Sequence, residues 1–194
     1  PAREQILDGL VTLRDWWRYG VSQFTRAGLV FGHGTDNAAD EAAFLMLTSL
    51  HLPIDSLDPW LDCRLVPAER ANILDRFERR IATRKPASYL TNTAWIQGHR
   101  FYVDERVIVP RSYFAELLED GFAPWVEDPD TLTRALDLCT GSGCLAIVMA
   151  HVFPQAEIDA IDLSPDALAV AHRNIDDYDL SNRVHAIESD LFAA

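Results

Sequence analysis

Three acids carry most of the chemistry in this chain. Asp137, Asp162 and Asp190 each follow a short apolar run. In Asp137-Leu138-Cys139-Thr140-Gly141-Ser142-Gly143-Cys144 an apolar strand ends in an acid, turns through two glycines and re-enters as a helix. Glycines at such a turn let the backbone approach a ligand, and the helix start presents unpaired N–H groups to it. The run Ala156 to Ile161 ends in Asp162, placed to grip the two hydroxyls of a ribose. The run Arg183 to Ile187 leads to Asp190. Acids at three strand ends read as a nucleoside pocket for a cationic ligand. S-adenosylmethionine, with its sulfonium and amino groups, fits that description.

A glycine turn is not specific by itself. Gly141-Ser142-Gly143-Cys144-Leu145-Ala146 also satisfies the dinucleotide pattern, so an NAD-binding dehydrogenase is the competing reading. Asp137 opposes it, since a carboxylate just before the turn would repel a pyrophosphate. Asp190 adds a further acid, better matched to an adenine amino group.

The elements that must position these acids alternate. Leu136-Asp137-Leu138 reads as a strand, Leu145 to Val152 as a helix stopped by Pro154, and Ala156 to Ile161 as a second strand. Ser164-Pro165-Asp166 then gives a cap, a proline and an acid that open a helix through Leu168, Val170, Ala171 and Ile175. A strand over Arg183 to Ile187 closes the series. Strands alternating with helices predict a parallel sheet.

Upstream the pattern is helical. Ile6, Leu10, Leu13 and Trp17 recur at helical spacing, and a short helix is expected over Ser22 to Ala27, before Gly28. Trp16 and Trp17 read as packing residues. Asp36 or Asn37 caps a helix reaching about Leu50, and Pro67 opens one that reaches about Arg84. His33 has no second His or Cys spaced to join it and reads as a loop residue. After Lys85-Pro86 three β-type runs appear, Trp95–Gln97, Phe101–Val103 and Val107–Val109, followed by a helix capped by Ser112.

The composition is that of a core-forming globular chain, with 48% hydrophobic and 24% charged residues. No apolar run approaches the roughly 20 residues a membrane span needs. Cys63, Cys139 and Cys144 show no metal-ligand spacing, and Cys139 and Cys144 flank the turn where small buried residues are wanted. A reduced, cytoplasmic setting without a bound metal is the expectation. The net charge of −13 is uneven. Residues 1–90 hold 11 basic and 12 acidic side chains, and residues 91–194 hold 6 and 18, a net of −12. An acidic half around the site favours a basic protein partner and argues against direct nucleic-acid binding.

With these residues in view, the chain resembles the HemK-type glutamine methyltransferases, and within them the branch that modifies a protein of the large ribosomal subunit. The likeness is carried by Gly32-His33-Gly34-Thr35-Asp36-Asn37, by Pro86-Ala87-Ser88-Tyr89-Leu90-Thr91-Asn92, and by Phe101-Tyr102-Val103-Asp104-Glu105-Arg106. Val109-Pro110-Arg111-Ser112, Asp137 to Cys144, Ile161 to Leu168 and Ser189-Asp190-Leu191-Phe192 extend it over nearly the whole sequence. Pro110-Arg111-Ser112, in place of Pro-Arg-Pro, separates the chain from the release-factor branch.

The resemblance implies an α/β protein in three parts. These are a helical substrate-recognition domain over 1–85, a β-hairpin connector over 86–111, and over 112–194 the first part of a Rossmann-like class I methyltransferase sheet. It implies S-adenosylmethionine as cofactor. Asp137 and the backbone of Thr140, Gly141, Ser142 and Gly143 would hold the methionine end, and Asp162 the ribose. Leu163 would lie beside the adenine, Asp190 at its amino group and Leu191 against its ring. Phe101 and Arg111 would line the connector side. The implied activity is methylation of a glutamine side-chain nitrogen in a basic ribosomal protein of the large subunit. A release-factor or adenine methyltransferase is the near alternative, and a non-catalytic ribosomal-protein-binding module the distant one.

The family's Asn-Pro-Pro-Tyr motif, which positions the substrate amide, follows a fourth strand. The sequence stops at Leu191-Phe192-Ala193-Ala194, before it. The expectation is therefore an inactive amino-terminal part of a longer enzyme, with no catalytic residue within it. The edge of its first strand would be open to self-association.

Overall fold

A computed structural model describes residues 2–193. By internal contacts the chain divides into two compact units, Pro1–Thr91 and Asn92–Ala194.

The first unit is helical: α1 (Arg3–Gly9), α2 (Leu13–Arg26), α3 (Ala38–Ser49), α4 (Pro67–Thr83) and the short α5 (Ala87–Thr91). The apolar spacing around Ile6 to Trp17 does not make one helix, because the chain breaks at Thr12. The Thr12 hydroxyl accepts the Asp15 backbone N–H at 3.2 Å, and the Asp15 carboxylate accepts the backbone N–H groups of Val11 and Thr12. That reciprocal cap satisfies the first-turn donors of a new helix. The helix expected over Ser22 to Ala27 is the end of α2 rather than a separate element. Asn37 caps α3 by accepting the Asp40 N–H at 2.9 Å, and Pro67 is the first residue of α4. The core gathers Trp16, Phe24, Leu45, Met46, Ile73 and Phe77, all essentially buried. Trp17 is half-buried and donates its indole N–H to the Ala39 carbonyl at 3.0 Å.

The second unit opens with an antiparallel hairpin, β1 (Ala94–Ile96) and β2 (His99–Phe101), closed by Gln97-Gly98. The third expected run, Val107–Val109, is not a strand. Val107 and Val109 are apolar because they are buried, and they join no sheet. After α6 (Tyr113–Glu119) come β3 (Arg134–Leu138), α7 (Cys144–Val152), β4 (Glu157–Asp162), α8 (Pro165–Asp177) and β5 (Val184–Glu188). The three strands form a parallel sheet in the order β3-β4-β5, with Leu138 beside Ile161 and Asp162 beside Glu188. The unit is thus α/β, and the strand ends that carry the acids lie side by side. Its core packs Ile147, Val148, Phe153, Ile158, Ala160 and Ile175 between helices and sheet. Among the described residues β3 pairs only with β4. Beside it a largely apolar groove is lined by Phe114, Leu118, Phe122, Leu136, Leu138, Leu145 and Met149 and also by Asp137.

No helix among the described residues is long and apolar enough to cross a membrane, and none of their His, Cys, Asp or Glu side chains are grouped to hold a metal ion. The three cysteines are free thiols. Cys144 is buried, and burial pushes its thiol up to about 11. Cys139, by contrast, is exposed, which corrects the expectation that both cysteines at the turn are buried. It sits in the left-handed region at φ 61°.

Candidate functional site

The site is built where β3 hands over to α7. Asp137 is 9% exposed, and its carboxylate accepts the Thr140 hydroxyl at 2.6 Å. The Thr140 N–H crosses to the Ile161 carbonyl at 2.8 Å, extending the β3–β4 ladder past the strand. The next backbone donor, the Gly141 N–H, reaches the Asp162 carboxylate at 2.9 Å. The other Asp162 oxygen accepts the Ser164 N–H at 3.0 Å. Each carboxylate oxygen therefore has one backbone donor and lone-pair capacity to spare. The Asp162 carbonyl accepts the Ser189 N–H at 3.1 Å, and the Ser189 hydroxyl donates to the Leu191 carbonyl at 3.1 Å. A chain of contacts thus runs from Asp137 through Gly141 and Asp162 to the segment bearing Asp190 and Leu191.

The two glycines play different parts. Both have positive φ, 56° at Gly141 and 77° at Gly143. A Cβ on Gly141 would meet nothing within 4 Å, so space stands open over that residue. A Cβ on Gly143 would come within 3.2 Å of the Ala171 side chain. Gly143 lets α8 pack against the turn, and Gly141 leaves the turn open. Cys139 and Leu191 are non-glycine residues with φ of 61° and 54°, on either side of this region.

The electrostatics favour a cation. Burial pushes the Asp137 carboxyl above its ordinary range, and the nearby Asp162 charge adds to the shift, while the Thr140 bond opposes it. A carboxylate that is costly to ionise gains from an incoming ammonium. The same shift gives a stability prediction. A raised folded-state pKa favours the folded state at low pH, and that contribution is lost as pH rises through the folded value. Asp137→Asn removes the titration. It is expected to be as stable as the parent or more so at neutral pH, with the gap growing from acid to neutral conditions. Urea unfolding across that range checks this, and an asparagine variant less stable than the parent at neutral pH would contradict it.

Leu163 is 65% exposed and Leu191 49%, which leaves two apolar side chains free to flank a flat ring. Asp190 is exposed beside Leu191. Two further sequence candidates have other surroundings. Phe101 is fully buried in the core, its ring tilted against Tyr178 at 5.5 Å. Arg111 is exposed and lines a groove with Ser112, Tyr113 and Glu116, none of them a turn residue. One residue that motif reading missed is Asn174, 1% exposed, whose side chain reaches the Ser142 carbonyl. Its signal was a polar residue on the apolar face of α8, between Ala171 and Ile175.

A family model described as RNA cap guanine-N2 methyltransferase matches residues 132–194. A ribosomal protein uL3 glutamine methyltransferase of Bordetella pertussis is 57% identical over 185 residues, covering 95% of this chain and 62% of that protein. The corresponding protein of Burkholderia pseudomallei is 58% identical over 182 residues, 94% of this chain and 59% of that protein. The chain is similar over almost its whole length to ribosomal protein uL3 glutamine methyltransferases. It spans about three fifths of the length of these curated relatives. Among solved structures, the N-terminal domain of human METTL16 in complex with SAH is 14% identical, over 77% of this chain and 55% of that one, with a TM-score of 0.41. The residues quoted above for the resemblance lie within a chain matched almost end to end by these relatives.

Proposed function

We propose that the β3–α7 turn holds S-adenosylmethionine and that the protein to which this chain corresponds methylates a glutamine side-chain amide in a large-subunit ribosomal protein. The observation that carries the cofactor reading is the Gly141 N–H bonded to the Asp162 carboxylate, which fixes an open turn beside an acid with unused lone pairs. Identity of 57–58% to uL3 glutamine methyltransferases over 94–95% of the chain supports the substrate.

In this reading Asp137 meets the methionine ammonium, and the backbone from Thr140 to Gly143 lies along the carboxylate end. Asp162 accepts from the ribose hydroxyls. Leu163 and Leu191 sandwich the adenine, and Asp190 accepts from its amino group. The cofactor supplies a methyl group on a sulfonium. The chain's own part is to bind, to orient and to exclude water, which is where most of the rate enhancement of an in-line transfer arises. Phe101 acts through the core, and Arg111 belongs to the connector side. The protein works in the cytoplasm, where its substrate is made.

Transfer of labelled methyl from S-adenosylmethionine to uL3, using the protein at the full length of its relatives, tests the proposal. Label on a uL3 glutamine is expected, and its absence with a bound cofactor would overturn the substrate. An RNA-directed reading draws on the family-model match over residues 132–194. Label appearing on RNA in the same assay would favour it.

The charge of residues 91–194 gives a further expectation. Association with uL3 weakens steeply between about 0.05 M and about 0.3 M salt, because exposed charges are screened over roughly 10 Å at 0.1 M. Salt-independent binding measured by calorimetry would remove the net −12 from the recognition argument.

A further inference from the structure

Asn174 is the one fully buried amide on α8, and all of its side-chain hydrogen bonds go to backbone far away in sequence. Its Oδ1 accepts the Tyr102 N–H at 2.7 Å. Its Nδ2 donates to the Tyr102 carbonyl at 3.0 Å and to the Ser142 carbonyl at 2.8 Å. The carboxamide thus pairs with Tyr102 as a neighbouring strand would, and spends its second donor on the glycine turn. Three positions later than Ala171 on the same helix face, it completes a grip in which Ala171 abuts Gly143 and Asn174 holds Ser142. Tyr102 is no loose partner. Its ring stacks on the Arg173 guanidinium at 3.5 Å, and its hydroxyl donates to Asp104 at 2.9 Å. Asp104 is held in turn by Arg106 at 2.6 Å, which with the Tyr102 hydroxyl keeps its carboxyl low, at about 2.

We propose that Asn174 is a positioning residue whose buried carboxamide locks the glycine turn to the connector, so that a ligand over the turn and the segment leading to Arg111 keep one geometry. The inference rests on the cofactor reading of the turn. An aspartate would face two carbonyl oxygens with no donor, and an alanine would remove this partner from the buried Ser142 carbonyl and from both backbone groups of half-buried Tyr102.

The test compares two neighbouring substitutions and follows one amide in the unaltered protein at the full length of its relatives. Asn174→Asp is expected to weaken S-adenosylhomocysteine binding by about tenfold in calorimetry, at a temperature where circular dichroism shows it folded. Arg173→Ala removes the stacking on Tyr102 but none of the three bonds, and is expected to bind within about twofold of the parent. In the unaltered protein, hydrogen exchange of the Tyr102 N–H should slow when S-adenosylhomocysteine saturates the site, together with that of Gly141. This arm decides the matter if Asn174→Asp does not fold. Gly141 protected with Tyr102 unchanged, or a folded Asn174→Asp with parental affinity, overturns the positioning role and leaves the cofactor reading standing. No binding at all by the unaltered protein overturns both.

Discussion

Asp162→Ala is expected to lower the affinity for S-adenosylmethionine by at least about tenfold, since each charge-assisted hydrogen bond lost is worth roughly 1.5–3 kcal/mol. The expected loss has two parts. One is the pair of bonds that the proposed cofactor reading gives to the ribose hydroxyls. The other is internal, because the same carboxylate holds the Gly141 N–H at 2.9 Å and the Ser164 N–H at 3.0 Å. Without it the open side of the turn loses its anchor, and the start of α8 loses a bond just before the Ser164 cap, whose hydroxyl accepts the Ala167 N–H at 3.3 Å. Asp162→Asn separates the parts. It keeps one acceptor oxygen and so one backbone bond, and is expected to fall between the parent and the alanine variant. Calorimetric titration of the three proteins measures this. A folded alanine variant with unchanged affinity would remove Asp162 from the site.

The second large effect lies in the helical unit and concerns stability. Arg80 and Glu41 form an ion pair at 2.6 Å with side chains 3% and 2% exposed. Thr35 donates its hydroxyl to the second Glu41 oxygen at 2.9 Å, and Arg80 donates to the Val30 carbonyl at 3.1 Å. The pair therefore ties α3 and α4 to the loop that holds Gly32, His33 and Gly34. Removing one partner leaves a buried charge uncompensated, and Arg80→Met is expected to cost about 3–5 kcal/mol. Adding Glu41→Gln should return a substantial part of it, since the stranded charge is then gone and the Thr35 bond has an acceptor. Urea unfolding of the single and double variants reads both effects. A single variant within about 1 kcal/mol of the parent would mean that the pair contributes no more than an exposed one.

The candidate site was legible in the sequence to the extent that it is local. Glycines at 141 and 143 between an apolar strand and a helix announce an open, left-handed turn because residue type and spacing fix that geometry. The caps at Asn37 and Ser164 and the proline at 67 are of the same kind, since each acts within one helical turn. The division between α1 and α2 was harder, because apolar spacing runs through Thr12 and only the reciprocal bonds with Asp15 reveal the break. Val107 and Val109 looked like a strand because burial and strand formation select the same apolar residues.

Partners distant along the chain were decided by the tertiary structure alone. Phe101 is fully buried, its ring against those of Tyr178 and His99, and no pattern along the chain announces those neighbours. The sequence by itself determined the parallel αβ order, the acid at each strand end and the open turn, because these follow from periodicity, capping and glycine freedom. It determined that position 174 is polar on an apolar helix face. That this amide satisfies Tyr102 and Ser142, 72 and 32 residues away, was decided only when packing brought those backbone groups to it. A residue's pattern reports the face it lies on, while its bonding partners are set by which segments that face comes to bury.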